Sequence, residues 1–340
     1  MAQPKLPDSY TKFSLPELKF SHVPADAPTP TPVIILALHR PGANNAFTDT
    51  MVTSLVTAFN TLSADPRVKC IVFTGTDPKN KIFCAGMDLG RASSSAGGAG
   101  LGNLKMSSSS SPSTSPGSAP ATPAAADDLA AARSAHRDGG GLVSLAIYAC
   151  AKPVIAALNG SAVGVGVTMT LPCNLRVASR DAKVGFVFAR RGINNEACSS
   201  YFLPRILGAG RALHLLTTGA VLAATDPLLR DLWADVVAPE DVVPRALEIA
   251  AEVAAKTSVV ASRAMKDLVY AGAPASPYEA FRLESQVFFD LFRGADSREG
   301  IRSFLEKREP RFEGTWEEDR PGIWPWWTQA EGDAASRSKL

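Results

Sequence analysis

Backbone N–H groups become chemically useful where glycine breaks a buried strand, and this chain does so twice, some eighty residues apart. Phe83-Cys84-Ala85-Gly86-Met87-Asp88 comes after the run Lys69-Cys70-Ile71-Val72-Phe73-Thr74-Gly75. Asn159-Gly160-Ser161-Ala162-Val163-Gly164-Val165-Gly166 follows Pro153-Val154-Ile155-Ala156-Ala157-Leu158. Glycine admits positive φ and close approach of a ligand. A residue that opens a helix after such a turn carries an unpaired N–H aimed at negative charge. Two such donors converging on one oxygen form an oxyanion hole. Either segment alone reads as an ordinary strand-to-helix turn; the pair is more specific.

The elements that must hold these turns follow from periodicity. Both preceding runs read as short buried strands. Segments 211–218, 226–233, 243–256, 258–270 and 276–293 read as helices with apolar spacing, and Val236-Val237 as a short strand. Residues 127–150 read as helix with a break, and a possible hinge, at Gly139-Gly140-Gly141. From Ala92 to Ala126 the chain is nearly all Ser, Ala, Gly, Pro and Thr. Such a segment buries too little apolar surface to offset its ordering entropy, so a disordered insertion is expected, passive rather than a lid.

The turns, with Leu38-His39-Arg40-Pro41-Gly42-Ala43-Asn44-Asn45-Ala46-Phe47, Asp65-Pro66-Arg67-Val68-Lys69, Lys152 to Gly160, Arg176-Val177-Ala178-Ser179 and Phe202-Leu203-Pro204-Arg205, resemble the enoyl-CoA hydratase/isomerase (crotonase) family over roughly residues 30–310. The resemblance implies an α/β fold, a crotonase-like spiral of ββα units with a C-terminal helical trimerisation region. It implies an acyl-CoA thioester as substrate and a homotrimer or dimer of trimers. The core would comprise 30–91 and 127–235, interrupted by the 92–126 insertion. An extension at 1–29, a helical oligomerisation region at 236–312 and a tail at 313–340 complete the chain. The thioester oxygen would sit between the main-chain N–H groups of Met87 and Val165, flanked by Ala85, Gly86 and Gly164. Val165 replaces a more usual glycine without removing the donor.

Which chemistry follows depends on carboxylates. Hydratases of the family typically carry two glutamates; those positions fall at Thr168 and at or near Phe188. Instead Gly192-Ile193-Asn194-Asn195-Glu196-Ala197-Cys198-Ser199-Ser200 resembles the segment of the Δ3,Δ2-enoyl-CoA isomerases in which one glutamate is the catalytic base. A single carboxylate along the acyl chain can take a proton from C2 and return it at C4. Among Ile193, Ala197 and Phe202, burial would raise the Glu196 pKa; the competing reading is a helix N-terminal carboxylate favoured by the macrodipole. Asn195 and Ala197 replace the family's proline and glycine, and either Asn194 or Asn195 could hold a water or a polar acyl group. Asp88 is expected to order the first turn.

The leading expectation is therefore enoyl-CoA isomerisation. The alternatives are a hydratase or dehydratase in a peroxisomal secondary-metabolite (toxin or siderophore) acyl pathway, and a non-catalytic acyl-CoA-binding scaffold. For the CoA phosphates the basic candidates are Arg40, Lys81, Arg91 and Lys307, each set against the simpler reading of a solvated surface charge. No separate cofactor is expected, CoA being part of the substrate. Gly164-Val165-Gly166 lacks the third glycine of a dinucleotide fingerprint. Five cysteines without C-x-x-C spacing read as buried thiols, and four histidines show no metal-ligand spacing. At 340 residues, 46% hydrophobic, 20% charged and net charge +2, the chain has ample core and no bias toward nucleic acid. No run approaches membrane-spanning length. The C-terminal Ser338-Lys339-Leu340 matches a receptor-read peroxisomal address, so a peroxisomal import receptor is an expected partner.

Overall fold

Strands β3 (Cys70–Gly75) and β5 (Val154–Leu158) are buried at every residue. That is what a parallel sheet covered on both faces requires. The computed structural model describes residues 4–88, 130–271, 274 and 276–327. Arg91, the expected insertion at 92–126, residues 127–129 and the terminal Ser338-Lys339-Leu340 lie outside the described residues. A six-stranded sheet runs β1 (Leu18–His22), β2 (Val33–Leu38), β3, β5, β7 (Leu175–Ser179), β10 (Asp235–Val237), antiparallel only at β1/β2. A four-stranded sheet runs β4 (Ile82–Cys84), β6 (Ser161–Val163), β8 (Lys183–Gly185), β9 (Val221–Ala223). Each of β3, β5 and β7 hands the chain to its neighbour in the second sheet, so ββ units repeat as a spiral.

The alternation along each strand sorts the core. Cys70, Val72, Ile155, Ala157 and Val177 face Val242, Ala246 and Ala250 of α6 (Val242–Lys256). Ile71, Phe73, Val154, Ala156 and Leu158 face the larger cluster that includes α1 (Asp49–Ala64). Between α1 and β5 lies α2 (Gly139–Ala149), preceded by a helical run at 130–135. The glycine run is thus not the expected break or hinge. The interruption falls at 136–138, and Asp138 Oδ1 accepts the Gly141 N–H at 2.5 Å, so the glycines form the buried first turn of α2. The expected helix at 226–233 is a 3₁₀ segment, Pro227–Leu232, started by Asp226 accepting the Leu228 N–H.

After the four-residue α3 (Val165–Thr168) come α4 (Ser199–Leu207), α5 (Ala209–Thr218), α6, α7 (Val259–Tyr270), α8 (Pro277–Phe292) and α9 (Ala295–Leu305). The chain then closes on Trp316, Trp324, Trp326 and Trp327, packed with Val260, Ala264 and Val287. Trp324 donates to Asp267 and Trp326 to the Ala271 carbonyl, which clamps this segment onto the body. No helix among the described residues is long and apolar enough to cross a membrane.

Candidate active site

The first turn leaves β4 at Cys84 and bends at Gly86, φ +89°, where a Cβ would lie 2.7 Å from the Val163 carbonyl oxygen. Only glycine fits there. Phe47 donates to the Gly86 carbonyl and accepts from the Asp88 N–H, so Met87 forms a parallel bridge with Phe47. In that geometry the N–H of Met87 itself points away from Phe47, and it has no hydrogen-bond partner among the described residues. Ala85 is exposed beside it, its N–H held by the Asn44 carbonyl.

The second turn leaves β6 at Val163. Gly164, at φ +57° and ψ −126°, donates to the Gly185 carbonyl. Val165 opens α3, and its N–H also has no partner among the described residues. The turns touch: a Cβ on Gly166 would meet the Cys84 carbonyl oxygen at 2.5 Å. The buried Cys84 thiol, pushed up to about 12 by desolvation, offers no nucleophile.

One helical turn beyond Val165, the Thr168 hydroxyl donates to Glu196 Oε1 at 2.8 Å. The expected first-glutamate position thus supports a carboxylate instead of supplying one, and Phe188 is buried in the core. The other oxygen of Glu196, Oε2, lies over Gly140 in the first turn of α2, where a Cβ would fall on it. After Glu196, Ala197 and Cys198 both hold left-handed φ, +57° and +56°. Alanine there is the strained counterpart of the family's glycine. Desolvation first, and the negative charge of Asp138 second, push Glu196 up to about 8, against the opposing Thr168 hydrogen bond. The dipole at the start of α2 opposes this too, but with only about 0.3–1 kcal/mol. The result is a carboxyl whose two protonation states are both populated near neutral pH.

Asp138 itself was not among the residues expected here. Asp before a glycine run is a visible N-cap, but nothing in the chain order links it to a glutamate 58 positions on. The other expected contacts divide. Arg40 is ion-paired to Glu17 (3.2 Å) and Asp88 (3.1 Å) and donates to the Ala46 carbonyl. These carboxylates engage its charge, and with Asp88 it braces the loop beneath Met87. Lys307 is not in the C-terminal helix but two residues past α9 at φ +54°. Lys81 is exposed next to β4, and no ion pair engages its ammonium among the described residues. Asn195 donates to Ser199 Oγ, which donates to the Glu196 carbonyl, so its amide steadies the loop.

Two free N–H groups on touching turns, with a proton-carrying carboxyl one helical turn away, define a site for polarising a carbonyl and moving a proton beside it. The enoyl-CoA hydratase/isomerase family model matches residues 29–101 and 133–315, and the chain belongs to that family. It is 40% identical over 308 residues, 90% of this chain and 92% of the relative, to enoyl-CoA hydratase AFT3-1 of Alternaria alternata. It is 30% identical over 280 residues, 82% of this chain and 93% of the relative, to crotonyl-CoA hydratase of Syntrophomonas wolfei. Among solved structures, an enoyl-CoA hydratase from Mycobacterium smegmatis superposes with TM-score 0.65 at 26% identity, covering 88% of this chain and all of the other.

Proposed function

We propose that the chain hydrates a 2-enoyl-CoA, and dehydrates the 3-hydroxyacyl-CoA in reverse, with Glu196 as the single proton carrier. The observation that carries this is the Glu196 carboxyl, fixed by Thr168 one turn from Val165 and pushed up by burial toward a working pH. In the hydration direction the thioester oxygen accepts from Met87 and Val165. Ionised Glu196 takes a proton from water as its oxygen bonds to C3, and the thioester becomes an enolate. The resulting Glu196 acid then gives that proton to C2, so one water is added and the carboxylate is restored. The names of the Alternaria and Syntrophomonas relatives support the same direction.

A second reading, Δ3,Δ2-enoyl-CoA isomerisation, is favoured by Thr168 standing where a second glutamate would hold water. There Glu196 would take a proton from C2 and return it at C4. The two are separated by supplying trans-2-enoyl-CoA and trans-3-enoyl-CoA thioesters of short and medium chain to the purified protein and to Glu196→Gln. Water addition to the 2-enoyl thioester, lowered by about 10²–10⁴-fold in the variant, is expected. Conversion of the 3-enoyl thioester without water addition would replace hydration with isomerisation. Binding without turnover, indifferent to Glu196, would make the chain a scaffold. Lys81 is proposed as a CoA phosphate contact, and the assembly as a homotrimer. Import into peroxisomes through Ser338-Lys339-Leu340 is proposed too, tested by relocation of a fluorescent fusion when the tripeptide is altered.

A further inference from the structure

Asp138 does more than a helix cap needs. Its Oδ1 accepts the Gly141 N–H at 2.5 Å and the Ala197 N–H at 3.4 Å, tying the start of α2 to the residue after Glu196. Thr168 occupies Glu196 Oε1, so Oε2 is the oxygen turned to that same helical turn, seated over Gly140. Both carboxyl groups are thereby held against the first turn of α2, Asp138 by Gly141 and Glu196 over Gly140. The groups that face Glu196 are the Asp138 carboxyl from the start of α2, the Thr168 hydroxyl from α3 and the Cys198 thiol from its own loop; among the described residues no cation does. Negative charge on Asp138 raises the cost of ionising Glu196, and among the described residues no cation offsets it.

We infer that Asp138 is a positioning residue for proton transfer, its carboxyl held by the Gly141 and Ala197 N–H groups beside Glu196 and so setting the proton affinity of the group that acts on the acyl chain. This rests on the reading of Glu196 as the proton carrier. It gives the site a second carboxyl from the start of α2, in place of the one replaced by Thr168. Asp138 acts through Glu196, and hydration gains most from it. A Glu196 that binds a proton too weakly would take one from water reluctantly, whereas the neighbouring Asp138 carboxyl brings its affinity closer to a working pH near neutral.

Capping and the effect of charge separate in Asp138→Asn, because asparagine caps a helix as well as aspartate but brings no charge. The carboxyl carbon of Glu196 is followed by ¹³C NMR through a pH titration of the wild-type protein and of Asp138→Asn, its signal assigned by its loss in Glu196→Gln. The expected result is a midpoint lowered by about one pH unit or more in Asp138→Asn, a tenfold loss of proton affinity. The matching limb of the kcat/KM profile should move with it, while the thermal midpoint stays near that of wild type. An unmoved Glu196 midpoint overturns the inference. Asp138→Ser, another neutral cap, repeats the titration if the asparagine variant folds poorly. Retained turnover in Glu196→Gln would sink the functional reading alone, since the titration reads the effect of Asp138 on Glu196 without any substrate.

Discussion

At the scale of single residues, what distinguishes this site is a carboxyl kept from ionising by its surroundings, and that has a cost in stability whose sign is fixed. Unfolded, Glu196 titrates near 4.5; folded, near 8. Between those values the native chain binds more protons than the unfolded one, so stability falls as pH rises through the window. Glu196→Gln removes the ionisation and keeps an oxygen for the Thr168 hydroxyl. The variant should be more stable than wild type by roughly 1–3 kcal/mol at about pH 9, less than full linkage because the carboxyl keeps some solvent. The gap should close toward about pH 5. Urea titrations at the two pH values measure it, and a gap that is constant with pH would show that Glu196 titrates normally. On the proposed reading Met87 and Val165 would contribute only backbone, so valine where glycine is more usual would not remove the donor.

At the scale of elements, α2 is the beam on which the proton chemistry rests, and both of its ends are engaged. Its first turn carries Asp138 and Gly140. At its far end Arg263 donates to the Tyr148 and Cys150 carbonyls and Lys266 to that of Ile147, while Arg263 is paired with buried Asp267, which Trp324 also reaches. Gly140→Ala ought to strengthen an exposed helix by up to about 1 kcal/mol. Here its methyl would displace the Glu196 carboxylate, and kcat should fall by about 10- to 100-fold with little change in KM. A variant with wild-type kcat would mean that Glu196 is not held where the chemistry occurs. Arg263→Met leaves Asp267 buried without its cation and should cost about 3–5 kcal/mol of unfolding free energy, read from the urea midpoint; a loss below about 1 kcal/mol would show that the pair is not structural. The strands and the two glycine turns were legible in the sequence because β-branched runs covered on both faces leave no other pattern. The start of α2 was misread, since glycine lowers helix propensity locally, and the Asp138 cap that overrides it gains its meaning from Glu196 and Ala197, far away in the chain. The surroundings of Arg40 were hidden for a similar reason: a lone basic residue beside a turn does not reveal its two acidic partners, Glu17 and Asp88.

At the scale of the whole molecule, the described chain leaves an apolar surface that water alone does not suit. Phe281, Phe288, Phe289 and Phe292 of α8, with Ile301, Phe304 and Leu305 of α9, are all exposed, Phe288 and Phe292 by 64% and 53% and stacked at 5.3 Å. Scattered exposed apolar residues need no explanation, but Phe288, Phe292 and Ile301 line one apolar groove, and such a surface is expected to be covered. The resemblance that implies a homotrimer supplies the occupant, a second copy of the chain. Covering two phenylalanines is worth roughly 3–6 kcal/mol, and replacing them with aspartate adds the cost of removing charge from water. Phe288→Asp combined with Phe292→Asp should therefore shift a trimer toward monomer at micromolar concentration, by about 10²–10⁴-fold in Kd or more. Sedimentation velocity on both proteins reads this directly. Far-UV circular dichroism should stay unchanged, because neither ring belongs to the buried core. A wild-type protein that sediments as a monomer would leave this face uncovered by its own kind, and a double variant that remains a trimer would place the subunit contact on a different surface.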